Sequence, residues 1–292
     1  MKRFNGTGVA LVTPFDRNGE VDVQALKKLV RLQVDGGTDF LVVQGTTGET
    51  ATLNKKEKEL VLDTVIEENN GQLPVVLGLA GNDTRSLVDE YASFHHDGVD
   101  GFLSASPYYN KPSQEGIYQH FKEISAATDK PIILYNVPGR TASNMLPETT
   151  LRLAELSNVV AIKEASGNLE QVMTIIQHAP KDFDVLSGDD ALTLPMIASG
   201  AKGVISVVAN AYPEKFSKMV SAALAGDFES SRAFHYLLLT VTKHFFAEGN
   251  PAGVKAALKA REICEEHLRL PLTTISAGLR EDILKETKLI LA

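Results

Sequence analysis

Val159-Val160-Ala161-Ile162-Lys163-Glu164 is the stretch that says most about the fold and chemistry of this chain. Its first four residues are apolar and mostly β-branched, which predicts a buried strand that Lys163 closes. A buried ammonium group costs free energy unless a carboxylate pairs with it or the group loses its proton. A neutral lysine attacks carbonyl groups to form a Schiff base, so Lys163 is a candidate nucleophile. The alternative is a structural lysine that pairs with Glu164, and this stretch alone leaves both interpretations open.

Short apolar runs of this kind recur along the first two thirds of the chain. Eight of them alternate with longer stretches whose apolar residues follow the helical period of 3.6 residues. The runs span residues 9–12, 40–43, 75–79, 101–103, 132–135, 159–162, 184–186 and 203–208. Eight β/α units in succession predict an α/β protein with a (β/α)8 TIM barrel rather than a doubly wound sheet.

From residue 213 onward the strand pattern does not return. Helices are predicted at residues 213–226, 228–248, 251–267 and 276–291, and the third of them contains Cys264. We therefore divide the chain into a barrel with the active site, residues 1–212, and a helical region packed on it, residues 213–292. Asp22, Asn54 and Ser113 precede helical patterns and are predicted helix N-caps.

Composition excludes several classes of function. The 292 residues are 43% hydrophobic and 23% charged, as in ordinary globular proteins. A net charge of -8 argues against nucleic-acid binding, and no run approaches the roughly 20 apolar residues of a membrane span. A single cysteine cannot form an intrachain disulfide, and the N-terminus lacks the apolar core of a signal peptide. We therefore expect a cytoplasmic protein.

Signals for metal, nucleotide or phosphate ligands are weak. The seven histidines lack ligand spacing, and there is no dinucleotide or Walker motif. Gly188 follows the seventh predicted strand, but no glycine follows the eighth, which disfavours a barrel phosphate site. Glu49, Asp189 and Asp190 are predicted to hydrogen-bond within loops rather than to act as paired catalytic acids. We predict no metal site.

Candidate reactive groups follow several of the predicted strands, whose C-terminal ends meet at one rim of a barrel. Gly45-Thr46-Thr47-Gly48 can hold a carboxylate with hydroxyl and N–H groups, or it is a plain turn. Tyr135 can relay protons or simply pack. Arg140 can bind a carboxylate with two parallel hydrogen bonds, or it forms a surface ion pair. Tyr108-Tyr109 suits rim packing, an interface or a site.

Four motifs in a fixed order carry a resemblance to a known family. They are Gly45-Thr46-Thr47-Gly48-Glu49, Ser106-Pro107-Tyr108-Tyr109-Asn110-Lys111-Pro112, Tyr135-Asn136-Val137-Pro138-Gly139-Arg140-Thr141 and Ile162-Lys163-Glu164-Ala165. Over residues 8–272 the chain resembles the pyruvate-dependent class I aldolases of the dihydrodipicolinate synthase and N-acetylneuraminate lyase family. Arg140 and the paired threonines resemble the pattern of the dihydrodipicolinate synthase branch of this family. We expect the sialic-acid lyases to lack that arginine.

The resemblance implies a lyase that condenses pyruvate with L-aspartate-4-semialdehyde, the first committed step of lysine and diaminopimelate biosynthesis. It implies no metal and no organic cofactor. By this likeness Lys163 forms an imine with pyruvate, whose carboxylate Thr46 and Thr47 hold. Tyr135, Thr46 and Tyr109 relay protons during imine formation, enamine formation and ring closure.

The resemblance also implies how the rest of the site is assembled. Tyr109 is expected to reach in from a neighbouring subunit of a homotetramer that is a dimer of dimers. Arg140 is expected to bind the carboxylate of the semialdehyde. Gly188 and Ile205 are expected to shape the site around Lys163.

Two other functions stay open at this point. A sibling pyruvate-dependent aldolase would act on a 2-keto-3-deoxy sugar acid or on sialic acid, and Arg140 argues against it. A catalytically silent relative would serve as a binding or regulatory protein, and the complete set of reactive groups argues against that.

A second, regulatory site is expected in degenerate form. In lysine-inhibited members of the family, free lysine binds a cleft at the dimer interface beside the tyrosine pair. Matching residues here are Thr50, Ala51, Asn82 and Tyr108. Lys55 and Lys58 stand where that cleft has imidazoles, and Ser86 stands where it has a carboxylate. A ligand with two ammonium groups loses an anionic partner there, so we predict weak or no inhibition by lysine.

Overall fold

The computed structural model describes residues 4–292, and its eight parallel strands close into a barrel in chain order. The strands are β1 (Gly6–Ala10), β2 (Phe40–Val43), β3 (Val75–Gly78), β4 (Gly101–Ala105), β5 (Ile132–Asn136), β6 (Val159–Glu164), β7 (Asp184–Ser187) and β8 (Gly203–Ser206). β1 pairs with both β2 and β8, so this sheet has no open edge. The predicted TIM barrel is confirmed.

Twelve helices of the described chain surround or follow the barrel. They are α1 (Val23–Asp35), α2 (Lys55–Asn69), α3 (Thr84–Ser93), α4 (Gln114–Ala126), α5 (Pro138–Thr141), α6 (Pro147–Ala154), α7 (Leu169–His178), α8 (Thr193–Ala198), α9 (Pro213–Leu224), α10 (Phe228–Ala247), α11 (Ala252–Ala260) and α12 (Ala277–Leu291). Asp22, Asn54 and Ser113 each accept a hydrogen bond from a backbone N–H of the following helix, so they are N-caps as predicted. No helix among these is long and apolar enough to cross a membrane.

Side chains of the strands alternate between a core inside the barrel and a larger core beneath the helices. The inner core contains Phe4, Ala10, Phe40, Val42, Val76, Leu103, Ile133, Tyr135, Val137, Ala161, Leu186 and Ile205. Because neighbours along a strand face opposite sides, Lys163 shares the inner side with Ala161, whereas Glu164 faces the helices. This alternation separates the two residues that the sequence left as possible partners.

Two strands, β1 and β8, end two residues earlier than the sequence predicted because side chains take over their backbone hydrogen bonds. Beyond β1, the N–H of Val12 donates to Asn210 Oδ1 at 3.0 Å. Beyond β8, the N–H of Val207 donates to Asp190 Oδ2 at 3.0 Å. Strand β1 therefore ends at Ala10 and β8 at Ser206, and each is followed by a loop that a side chain holds in place.

The predicted helix at residues 251–267 is wrong over its second half. Helix α11 ends at Ala260, and Glu262 takes a left-handed backbone conformation with φ of 58°. Cys264 is buried but lies outside any helix. The helix is closed locally, because the N–H groups of Glu262 and Ile263 donate to the carbonyl oxygens of Lys259 and Leu258 at 2.9 and 3.0 Å. The division of the chain at residues 212 and 213 stays a prediction.

Candidate active site

Lys163 and Tyr135 lie side by side at the C-terminal rim of the barrel. They are register partners on β6 and β5, and the Lys163 amine lies 4.3 Å from the centre of the Tyr135 ring. Lys163 is only 5% exposed, and no carboxylate within residues 4–292 comes within ion-pair distance of its amine. Burial lowers the pKa of Lys163 to about 8; the charge of Asp190 opposes this shift and that of Arg140 supports it. At pH 7 about a tenth of the amine is then neutral.

Glu164 does not pair with Lys163, so the structural alternative from the sequence is wrong. Its carboxylate accepts hydrogen bonds from Asn136 Nδ2 at 2.5 Å and Gln171 Nε2 at 2.8 Å. It also accepts from the N–H and the hydroxyl of Ser166, at 3.1 and 2.6 Å. Four donors make a buried carboxylate stable without a cation. Glu164 therefore fixes the outer face of β6 and leaves the Lys163 amine free to react.

Tyr135 keeps its proton at neutral pH. Burial raises the pKa of its phenol to about 12, while the Arg140 charge opposes that shift and the Asp190 charge adds to it. A phenol in this state can donate a proton and accept one in turn, as a relay requires. The sequence placed Tyr135 at a strand end, and the register brings it to the reacting amine.

Asp190 was expected to hydrogen-bond within loops, and its partners lie at the end of β8 and in the loop that follows it rather than in its own loop. The buried carboxylate accepts from the Ser206 hydroxyl at 2.5 Å and from the N–H groups of Val207 and Val208 at 3.0 and 3.4 Å. Burial raises its pKa to about 6. Its charge also acts on Lys163 and Tyr135, an influence that the sequence analysis missed. No pattern in the sequence signals it, because it depends on loops after two different strands.

Gly188 borders the reactive lysine, and Ile205 lies in the inner core of the barrel. A Cβ atom at position 188 would lie 3.1 Å from Lys163 Cε and 2.8 Å from the Cβ of Ala165. Any larger residue would therefore push the lysine side chain from its position. Ile205 is 1% exposed and belongs to the inner core of the barrel with Tyr135. The roles of both residues in shaping the site stay predictions.

The two threonines lie in a one-turn 3-10 helix, Thr46–Gly48, that follows β2. Thr46 is exposed at the rim, whereas Thr47 is 4% exposed. Thr47 Oγ1 accepts a hydrogen bond from Asn250 Nδ2 at 2.9 Å. This partner comes from the turn before α11, and the sequence analysis missed it because 203 residues separate the pair.

The end of the same loop is fixed by a buried ion pair. Glu49 Oε1 lies 2.5 Å from Lys255 Nζ, and both side chains are fully buried. Glu49 Oε2 accepts a hydrogen bond from the N–H of Arg269 at 3.2 Å. We call Asn250, Lys255 and Arg269 the C-terminal brace, because all three hold the loop that contains Thr46 and Thr47.

Arg140 is exposed on the short helix α5, directly after β5. No carboxylate within residues 4–292 lies within ion-pair distance of its guanidinium group, so the predicted alternative of a surface ion pair is not found. Its charge nevertheless influences both Lys163 and Tyr135. Arg140 is therefore an unpaired cation close to the reactive amine, which suits it to bind an anionic group of a substrate.

Tyr109 is the one predicted catalytic residue that the single chain does not bring into the site. It is 88% exposed and has a left-handed backbone conformation with φ of 70°. Tyr108, its neighbour, is 44% exposed, and its carbonyl oxygen accepts a hydrogen bond from Asn82 Nδ2 at 3.1 Å. The tyrosine pair thus stands out from the rim on an anchored loop.

Comparisons with known proteins agree with this geometry. The model of the Dihydrodipicolinate synthetase family matches residues 3–289. The chain belongs to this family. A 4-hydroxy-tetrahydrodipicolinate synthase of Flavobacterium psychrophilum is 52% identical over 280 residues, 96% of each chain. These relationships confirm the predicted class of lyase and favour the synthase over the sibling sugar-acid aldolase.

Solved structures of the family superpose on the whole barrel and its helical region. Dihydrodipicolinate synthase from Aquifex aeolicus has a TM-score of 0.93 and 44% identity, with 98% of this chain and 97% of that chain covered. The chloride-inhibited enzyme from Acinetobacter baumannii, complexed with pyruvate, has a TM-score of 0.95 and 37% identity, with 99% of both chains covered. The family thus supplies a solved example in which pyruvate is bound to this fold.

The residues predicted to form a degenerate lysine cleft lie on a polar surface. Asn82 is tied to the tyrosine loop, since Asn110 Nδ2 donates to its carbonyl oxygen at 2.9 Å. Ser86 donates its hydroxyl to Asp83 Oδ2 at 2.7 Å. The carboxylate of Asp83 also caps α3, so it is already bound within its own loop. Lys55 and Lys58 are exposed on α2. The degenerate lysine cleft stays a prediction.

Among residues 4–292, no three or more His, Cys, Asp or Glu side chains are grouped so that they could hold a metal ion.

Proposed function

We propose that this protein condenses pyruvate with L-aspartate-4-semialdehyde to give 4-hydroxy-tetrahydrodipicolinate, through a Schiff base on Lys163. The observation that carries the proposal is the buried Lys163 amine, which has no carboxylate partner and whose pKa is lowered to about 8. Burial supplies the neutral amine that carbonyl attack requires. The names of relatives about half identical to the chain supply the product, and the related structure from Acinetobacter baumannii is complexed with pyruvate.

The first step joins pyruvate to Lys163. Thr46 and Thr47 hold the carboxylate of pyruvate, and the Lys163 amine attacks its keto carbon. The resulting carbinolamine loses water when Tyr135, whose phenol keeps its proton, delivers a proton to the departing hydroxyl. Thr46 and Tyr109 complete the hydroxyl relay. The product is a protonated imine.

The second step forms the carbon–carbon bond. The iminium withdraws electrons, so the methyl group of pyruvate loses a proton to the relay and an enamine forms. The enamine carbon attacks the aldehyde of the semialdehyde, whose carboxylate Arg140 binds, and the aldehyde oxygen takes up a proton. The amino group of the semialdehyde then attacks the imine carbon and displaces Lys163, which regenerates the free amine. One water molecule leaves in the whole sequence.

The site is completed by a second copy of the chain. Tyr109 is 88% exposed in one copy, so its phenol packs against little of its own chain. We propose that Tyr109 enters the site of a partner subunit within a homotetramer built as a dimer of dimers. Gly188 and Ile205 keep the space around Lys163 that the imine needs.

Trapping with borohydride tests the proposal directly. Incubation with pyruvate and borohydride should reduce the imine to a stable amine and add a pyruvate-derived mass at Lys163. The same treatment should abolish condensation of the two substrates. Lys163→Ala should neither gain the mass nor turn over. An adduct on another lysine, or full turnover by Lys163→Ala, would contradict the proposed mechanism.

A further inference from the structure

We propose that Asn250 is a positioning residue that makes the hydroxyl of Thr47 a hydrogen-bond donor to the carboxylate of pyruvate. This inference rests on the proposed function, because it assumes that the loop with Thr46 and Thr47 binds that carboxylate. Asn250 contacts Thr47 and acts on the substrate only through it.

The direction of one buried hydrogen bond carries the argument. Asn250 Nδ2 donates to Thr47 Oγ1 at 2.9 Å. A hydroxyl group has one hydrogen and two lone pairs, and the amide N–H occupies one of the lone pairs. The hydrogen of Thr47 must then point elsewhere, and no acceptor within residues 4–292 is bonded to it. An anion that approaches the loop therefore meets a hydroxyl that is already turned to donate.

The other end of the Asn250 side chain supports a role beyond packing. Asn250 Oδ1 is buried and has no hydrogen-bond partner in the described chain. A buried polar atom without a partner lowers stability, so stability alone does not account for this asparagine. The N–H group of the Asn250 amide donates to Thr47, while the oxygen of the same amide has no hydrogen-bond partner in the described chain.

Lys255, another residue of the C-terminal brace, helps to keep Asn250 beside Thr47. Lys255 lies one turn into α11 and pairs with Glu49, two residues after Thr47. Both side chains of that pair are fully buried, so the loop and the start of α11 move together. The Asn250–Thr47 bond is thus held by a neighbouring contact that does not itself face the substrate.

Two substitutions at one position separate donation from packing. Asn250→Ala removes the donor and should raise the pyruvate concentration for half-maximal borohydride trapping by about threefold to tenfold, the loss of one hydrogen bond. Asn250→Asp offers an acceptor of the same shape. It should take the hydrogen of Thr47, repel the substrate carboxylate and raise the half-saturating concentration by about tenfold to a hundredfold. The KM for the semialdehyde should stay unchanged in both variants.

Thr287→Val is a matched control. It removes a buried hydrogen bond of 2.7 Å with Tyr212, which ties α12 to the barrel without contacting the loop. It should lower the melting temperature and leave pyruvate half-saturation as in the wild type. In a Thr47→Val background, Asn250→Ala should have no further effect on half-saturation, because the hydroxyl that Asn250 orients is gone.

The outcomes distinguish this inference from the proposed function. If the wild type forms no pyruvate imine, the proposed function fails. If the wild type forms the imine and Asn250→Asp half-saturates at the wild-type concentration, Asn250 does not orient Thr47 and the inference fails. If Asn250→Asp does not fold, Asn250→Ala decides, and wild-type half-saturation there overturns the inference.

Discussion

Lys163 owes its reactivity to what surrounds it rather than to any direct partner. Burial lowers its pKa to about 8, Asp190 opposes the shift and Arg140 supports it. Because only the neutral amine attacks pyruvate, the rate of imine trapping should rise about tenfold per pH unit below pH 8 and level off above it. Stopped trapping reactions across this range measure the profile.

Arg140→Ala should separate the two roles of that arginine. Loss of its positive charge raises the pKa of Lys163, so the trapping profile should move to higher pH and reach wild-type rates on its plateau. At every pH, turnover with the semialdehyde should stay below the wild-type rate, by the equivalent of about 2–5 kcal/mol of lost transition-state stabilisation. Arg152→Ala removes an exposed arginine of α6 and should leave the profile in place. An unshifted midpoint in Arg140→Ala would show that its charge does not reach the amine.

Among the elements, α11 and the loop after β2 depend on each other most. Lys255→Met leaves the buried Glu49 carboxylate without its cation and should destabilise the protein by about 3–5 kcal/mol in urea unfolding. Adding Glu49→Gln removes the uncompensated charge and should restore much of that loss. Lys218→Met breaks an exposed pair with Glu214 and should change stability little. Equal effects of Lys255→Met and Lys218→Met would mean that water reaches the buried pair.

Local patterns predicted the elements of the barrel well, and tertiary contacts account for the early ends of β1 and β8. The run at residues 159–162 and its neighbours appear as strands within one or two residues at most ends, since each is apolar and bounded by loop residues. The alternation of side chains along β6 could also have excluded the pair of Lys163 with Glu164. The early end of α11 could not be predicted, because the left-handed residue that closes the helix is Glu262 rather than a glycine or an asparagine.

The same limit applies to the site. Lys163, Tyr135 and Arg140 could be found from the sequence because each directly follows or ends a strand, and strand ends share one rim. Asn250 could not, since its relation to Thr47 exists only after the last helices have folded onto the barrel. Charge effects such as that of Asp190 need distances, which a sequence does not contain.

At the scale of the whole molecule, the exposed Tyr109 predicts that active sites are shared between chains. Mixing inactive Tyr109→Phe with inactive Lys163→Ala should restore activity in hybrid oligomers, because one site then combines an intact lysine with an intact tyrosine. Tyr135→Phe mixed with Lys163→Ala is the control and should stay inactive, since both residues belong to the same chain's site. If oligomers shown to contain both variants do not recover activity, Tyr109 acts in the site of its own subunit.

The surface of the predicted lysine cleft, beside the tyrosine pair, predicts the response to free lysine. Lys55 and Lys58 stand exposed where a ligand with two ammonium groups would approach, and the Asp83 carboxylate is occupied by Ser86 and the α3 cap. Loss of one charge-assisted bond weakens binding about tenfold to a hundredfold. Initial rates should therefore change little up to millimolar lysine. Half-inhibition below about a millimolar would show that the cleft still binds it.

The bond between Asn250 and Thr47 also joins parts of the chain that the ribosome makes far apart in time. By the time β8 has been synthesised, every strand of the barrel is present, yet the loop after β2 still lacks Asn250, Lys255 and Arg269. Protein chains begin to fold from the N-terminus during synthesis. The strands of the barrel are therefore complete before the residues that fix the loop with Thr46 and Thr47 have been made. A chain released before Asn250 is made would keep its reactive lysine, and we expect it to bind pyruvate more weakly than the complete chain does, so full pyruvate binding should arrive only near the end of translation.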